Sequence, residues 1–148
     1  MKNLIFFSLL ILVFSSCKTY SDEEIKDFDQ QITTYLKKKN IDCEHSPSGL
    51  YYKIIEPGKG RNIRFQDIVT FKYKGTFLNG STFDNPKEPV EFAVKDLIGA
   101  WKEIMLELKP GAKAFLVSPP QLGYGSRELN DIPPNSILVF ELEIISVK

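Results

Sequence analysis

Three aromatic side chains with polar tips and one carboxylate are the residues of this sequence best suited to chemistry: Tyr73, Trp101, Tyr124 and Asp84. A buried phenol or indole must find a hydrogen-bond partner, and a carboxylate beside aromatic rings is costly unless paired. A domain that needed only a core would use leucine instead. An apolar pocket with a few polar groups at its rim is the make-up of a binding site. Tyr124 stands between two glycines in "LGYGSRELNDIPPNS", residues 122–136, and connections of this length in compact domains are functional or disordered. Pro133 and Pro134 stiffen it, and the strand pattern "ILVFELEII" follows at once, so the loop reads as a cover over something.

The elements that must position these residues are mostly strands. "LYYKII" opens the series near residue 50, followed by "DIVTFKYKGTF", "STFD", "VEFAV", "AKAFLVS" and "SILVFELEIISV". Asn79-Gly80 between two alternating segments is a strong hairpin signal. Alternation puts Val69, Phe71 and Tyr73 on one face, Val90, Phe92 and Val94 on an inner face of their strand, and Leu138, Phe140, Leu142 and Ile144 on an inner face of the last. Phe83 follows the hairpin with Asp84 directly after it. Only "AWKEIMLELK" has helical spacing here, with Trp101, Ile104, Met105 and Leu108 on one side before Pro110-Gly111 stops it. The expected class is α+β, one short helix against a mostly antiparallel sheet.

Ahead of the strands, "SDEEIKDFDQQITTYLKKKN" has Ser21 three residues before Glu24, a capping-box spacing, and predicts a helix over 22–39. Ile25, Phe28, Ile32, Tyr35 and Leu36 share a face that can pack on the domain behind it or on a second copy, the short stripe favouring the former. "IDCEHSPSG" then reads as a linker. His45 within it has no Cys or Asp at ligand spacing and reads as a surface residue, so no metal or cofactor is expected.

The chain of 148 residues carries 19 basic and 19 acidic side chains, a balance that gives no electrostatic footprint for nucleic acid. Its first residues, "MKN" and then "LIFFSLLILVF", form an apolar run of signal-peptide length, too short to span a bilayer comfortably. The run ends in "VFSSC", which resembles the lipobox at which bacterial lipoproteins are cleaved and diacylated, with Phe14 in place of the usual leucine. Residues 1–16 are thus expected to be a lipoprotein signal peptide and Cys17 the lipidated N-terminus. With Cys17 acylated, Cys43 is the only other cysteine and no intramolecular disulfide can form. A lipid-anchored, periplasm-facing place in the cell envelope follows, on the outer membrane, with "SDEE" leaving surface exposure open.

Taken together and in order, "SGLYYKIIEPGKG", "VTFKYKGTFLNGSTFD", "LIGAWKEIMLELKPGAKAFLVSP", "LGYGS" and "IPPNSILVFELEII" resemble the FKBP-type peptidyl-prolyl cis-trans isomerases over residues 48–148. The resemblance implies an antiparallel half-barrel sheet wrapped over one short helix, with a prolyl pocket between them. It implies Trp101 as pocket floor, Tyr73, Phe83, Leu97, Ile98 and Phe140 as walls, Asp84 and Tyr124 as the polar groups, and Ile132 in a flap over the site. Val90 stands where an aromatic wall residue is common in the family, Ala100 replaces a glycine, and the flap is one residue shorter and lacks a histidine. The implied substrates are proline-containing unfolded or exported polypeptides, and a macrolide of the FK506 type is an implied ligand. A silent binding module or a component of an envelope machine, such as a motility apparatus, is the alternative. The anchor, helix and linker would occupy residues 17–47 and the isomerase domain residues 48–148.

Overall fold

The computed structural model describes residues 20–148, so the expected signal peptide and Cys17 lie outside the described residues. The first element is helix α1, Asp22–Lys39, with the boundaries its end signals predict. The Ser21 hydroxyl accepts from the Glu24 N–H at 3.2 Å while the Ser21 N–H donates to Glu24 Oε2 at 2.8 Å, which is the capping box in full. At the other end Asn40 turns left-handed at φ 53°, and the Ile41 N–H reaches back to the Leu36 carbonyl at 3.0 Å.

The strands follow as β1 (Glu44–His45), β2 (Tyr51–Glu56), β3 (Ile68–Phe77), β4 (Thr82–Asp84), β5 (Val90–Ala93), β6 (Lys113–Ser118) and β7 (Leu138–Val147). Helix α2 (Gly99–Met105) lies between β5 and β6. All pairings are antiparallel, in the order β1-β2-β6-β7-β3-β4, with β5 also on β3. The long strands β3 and β7 pair along their whole length, and a bulge between Thr70 and Phe71 adds to the local bend. The expected linker thus contains one short edge strand, β1.

The sheet has two apolar faces. On the inner one, Val69, Phe71, Leu116, Leu138, Phe140, Leu142 and Ile144 close over α2, which contributes Trp101, Ile104 and Met105. Phe92 points to this side, paired with Val69, yet stays half exposed because β5 is at the sheet's edge. Helix α2 ends at Met105, earlier than its apolar spacing predicts: Glu107 and Leu108 form tighter i→i+3 bonds, and Leu106 faces solvent while Leu108 is buried.

On the outer face, Tyr51, Val117 and Val139 form a row across β2, β6 and β7, and α1 covers it with Phe28, Ile32 and Leu36. The lead-in helix therefore packs in cis. Each of those three side chains stabilises the docking by about 1.5–3 kcal/mol on burial. The Tyr51 hydroxyl also donates to Asp29 Oδ1 of α1 at 2.5 Å, and His45 stacks on the Tyr51 ring with centroids 4.1 Å apart. Ile25 belongs to the same stripe by spacing but remains 41% exposed, since the stripe outruns the row it packs on.

Candidate active site

Between α2 and the inner face of β3 and β7 the aromatic rings meet edge to face, at interplanar angles of 69° to 87°. Trp101 lies edge-to-face with Phe71, Tyr73 and Phe140, with centroids at 5.2, 4.9 and 5.0 Å, and Phe83 meets Phe140 the same way at 5.7 Å. These are the favourable quadrupole arrangements, and each pair adds about 0.5–1.5 kcal/mol beyond area burial. The box they form is stiff. Trp101 is only 7% exposed, and its indole Nε1–H is covered without an acceptor among the described residues. An unmet buried donor costs about 1–3 kcal/mol, and a bound water or ligand group is one acceptor that can satisfy it.

Strand geometry puts Phe83 in place. The hairpin after β3 closes on a three-residue loop, 78–80: the Phe77 N–H bonds the Ser81 carbonyl, the Gly80 N–H bonds the Phe77 carbonyl, and Gly80 takes φ +88°. Register then slips, with Thr76 opposite Thr82 but Gly75 opposite Asp84, so Phe83 is the extra residue of a bulge. Its ring lies on Gly75, where a Cβ would stand 2.6 Å from Phe83 Cε2. Gly75 was not among the residues the sequence singled out. An isolated glycine inside a strand pattern was the available signal, since it marks a bulge or a close approach.

The same bulge presents Asp84 to Tyr73, whose hydroxyl donates to Asp84 Oδ2. Burial first, then the hydrogen bond and charge of Asp84, push the Tyr73 phenol well above its usual range. Burial and the nearby Asp84 charge also raise the Tyr124 phenol. Tyr73, Asp84 and Tyr124 thus sit within electrostatic reach of one another, and both phenols are protonated at neutral pH. The Asp84 carboxylate is thereby held against the Tyr73 hydroxyl at the edge of the aromatic cluster.

The 122–136 loop is ordered by its own backbone. A short 3-10 turn at Pro120–Leu122 leads in, the Gly125 N–H bonds the Pro120 carbonyl at 2.9 Å, and the Asn135 N–H returns to the Gly125 carbonyl at 2.8 Å. Leu129 and Ile132 exchange N–H···O bonds at the tip, and Ile132 is turned inward, 8% exposed. The start of α2 presses on this loop, since a Cβ on Gly99 would come within 3.2 Å of the Leu122 carbonyl. A further tie was not foreseen: the Tyr20 hydroxyl, just before α1, donates to Asn135 Oδ1 at 2.7 Å, and its ring meets Phe28 edge-on at 5.3 Å. No local motif marks a contact across 115 positions.

The candidate pocket residues named from sequence lie in or at one apolar cluster. Leu97, Trp101, Ile132 and Phe140 are buried in it, and Tyr73, Phe83, Val90, Ile98 and Tyr124 are part-buried around it, beside Asp84. The part-buried members lie together on the edge of the cluster, with two phenols and a carboxylate among them. Such a surface binds and orients; among the described residues no cluster of acidic, His or Cys side chains has the arrangement to hold a metal ion.

A family model described as FKBP-type peptidyl-prolyl cis-trans isomerase matches residues 59–145. The isomerase FkpA of Escherichia coli (strain K12) is 37% identical over 139 residues, 90% of this chain and 52% of FkpA. The isomerase Mip of Coxiella burnetii is 38% identical over 105 residues, 68% of this chain and 46% of Mip. The chain therefore spans about half the length of the curated relatives it matches. Among solved structures, that of Escherichia coli FkpA superposes with a TM-score of 0.74 at 37% identity, covering 85% of this chain and 62% of FkpA. A Pseudomonas syringae peptidyl-prolyl cis-trans isomerase superposes with the same score at 26% identity, covering 88% and 98% of the two chains. The matched stretch runs from the turn before β3 almost to the end of β7 and contains every wall of the aromatic box, which makes this chain a member of the FKBP-type peptidyl-prolyl cis-trans isomerase family.

Proposed function

We propose that the chain accelerates cis–trans isomerisation of X-Pro bonds in exported polypeptides within the cell envelope. The observation that supports this most is the edge-to-face aromatic box under a Tyr73–Asp84 pair, closed on one side by Tyr124 and Ile132. Its floor suits an apolar five-membered ring, and its polar groups are gathered where the flanking carbonyls would lie.

Rotation about an amide faces about 18–20 kcal/mol because planarity carries the resonance, and an X-Pro bond takes on the order of tens of seconds to minutes unaided. No covalent step is needed, only a site that binds the twisted amide better than the planar one. The planar amide is the more polar and better hydrated form, so the apolar box weakens it relative to the twisted one. The Tyr124 O–H and the backbone N–H of Ile98 would hold carbonyls on either side of the rotating bond. Neither donor has an acceptor among the described residues. About a hundredfold acceleration requires roughly 3 kcal/mol of differential stabilisation, which two aimed hydrogen bonds in an apolar site can supply.

Residues 1–16 are read as a lipoprotein signal peptide and Cys17 as the diacylated N-terminus, which supports a lipid-anchored, periplasm-facing location on the outer membrane. Among the described residues no helix is long and apolar enough to cross a membrane. Exchange spectroscopy on a short X-Pro peptide tests the activity. The wild-type chain should accelerate exchange and Asp84→Ala should lower kcat/KM by about tenfold, near one hydrogen bond to a charged group. A folded wild type that neither accelerates exchange nor binds a macrolide of the FK506 type would leave a silent binding module.

A further inference from the structure

An X-Pro bond cannot enter the aromatic box without the chain on either side of it leaving along some path, and one path is already cut into the surface. A cleft of about 790 Å³ begins at Leu97, Ile98 and Tyr124, on the rim of the box, and runs to Tyr20, Ile25 and Gln121. A second cleft, of about 710 Å³, begins at Ile25 and Gln121 and continues between α1 and the 45–49 segment, past Asp29, His45 and Ser48. Ile25 and Gln121 line both, so the two clefts adjoin at these side chains and together form a furrow leading away from the site.

We propose that this furrow binds the residues flanking the proline in an extended, unfolded polypeptide, with Ile25 as its apolar contact and Gln121 as its hydrogen-bonding one; the inference rests on the isomerase reading and adds a second subsite to it. Two groups at the junction are left over by the packing. Ile25 is the member of the α1 stripe that the sheet leaves 41% exposed, while Phe28, Ile32 and Leu36 of the same stripe are buried. Gln121 is part-exposed while its Oε1 is covered with no donor among the described residues, so turning the amide toward the furrow breaks no hydrogen bond of that oxygen. An extended chain brings a backbone N–H and a side chain to one face every second residue, which matches an unmet acceptor beside an apolar side chain.

The charges along the furrow are mixed. Asp22, Lys26 and Asp29 line one stretch and Asp96 and Arg127 the other, so neither an acidic nor a basic ligand is favoured over its length. That leaves apolar character near the proline as the selected property, and unfolded chains expose such segments where folded ones do not. Tyr20 ties the furrow wall to the flap through Asn135, so both subsites share a rigid border.

The test uses the full chain and two substrates: an X-Pro tetrapeptide, which fills only the box, and a 16-residue peptide with the same X-Pro centre and apolar residues on both sides. Ile25→Glu alters an exposed side chain on a helix held by other residues, so circular dichroism and the urea midpoint should match the wild type. With the tetrapeptide, kcat and KM should be unchanged. With the long peptide KM should rise about tenfold at constant kcat, the signature of lost uniform binding. Equal kinetics of the two proteins on the long peptide, or an equal fall on both substrates, would overturn the furrow. Fluorescence anisotropy of the labelled long peptide gives a readout independent of turnover. A wild type that binds this peptide more tightly than Ile25→Glu does, yet turns over neither substrate, would sink the isomerase reading and keep the furrow.

Discussion

The Tyr73 hydroxyl is committed to Asp84, whereas the Tyr124 hydroxyl has no acceptor among the described residues. Removing each therefore has a different expected result. Tyr124→Phe should lower kcat/KM severalfold and leave stability within about 0.5 kcal/mol, as substitutions away from a packed network do. Tyr73→Phe should also release the Asp84 carboxylate, so it should cost stability as well, read as a shifted urea midpoint. The pH profile follows from the phenols. Burial, with Asp84 adding to it, raises both above the usual tyrosine value of 10.0. A proton held more tightly in the folded state gives a contribution that is complete below that value and is lost only as pH rises through the folded one. Between about pH 7 and 9 the rate on a short peptide should thus be flat, and a decline inside that window would show that a group other than the phenols governs it. That these side chains gather in one place was partly legible beforehand, because polar-tipped aromatics beside a carboxylate are hard to explain as core. Which partner Asp84 takes was not, since it depends on a one-residue register slip that alternation does not encode.

At the level of elements, the bulge that lifts Phe83 onto Gly75 sets the shape of the wall. Gly75→Ala should force that ring away from Phe140. A loss of about 1–3 kcal/mol from overpacking and a weakened affinity for proline-mimicking ligands are expected, measured by urea unfolding and isothermal titration. Helix α1 offers the contrasting case. Ile32 is fully buried beneath it, so Ile32→Ala should destabilise by about 2–5 kcal/mol, and proteolysis should then cut first at the loosened lead-in segment. The helix was readable to the residue because Ser21, Glu24 and Asn40 encode its ends locally. The faces of β3 and β7 were readable because period-two alternation survives where one side is packed. Exposure at Phe92 and Ile25, and the early end of α2, were not. Each depends on where a neighbouring element stops, which no local pattern records.

Across the whole molecule the lead-in helix and the isomerase fold share one body, with apolar surface on both faces of the sheet. Acylation at Cys17 is tested by Cys17→Ser: labelled palmitate should be incorporated by the wild type and not by the variant, and only the wild type should stay with membranes in high salt, since two acyl chains suffice for stable anchoring. The Tyr20–Asn135 bond then gains a spatial meaning. Three peptide steps separate Cys17 from Tyr20, and at full extension they reach about 11 Å. A diacylated Cys17 would therefore leave a leash shorter than the width of the domain, fastened beside the flap rather than at the far end of a spacer. The domain could neither turn its back to the lipid nor sweep the compartment around it. The chains it meets would be those already lying within a nanometre or two of the bilayer surface.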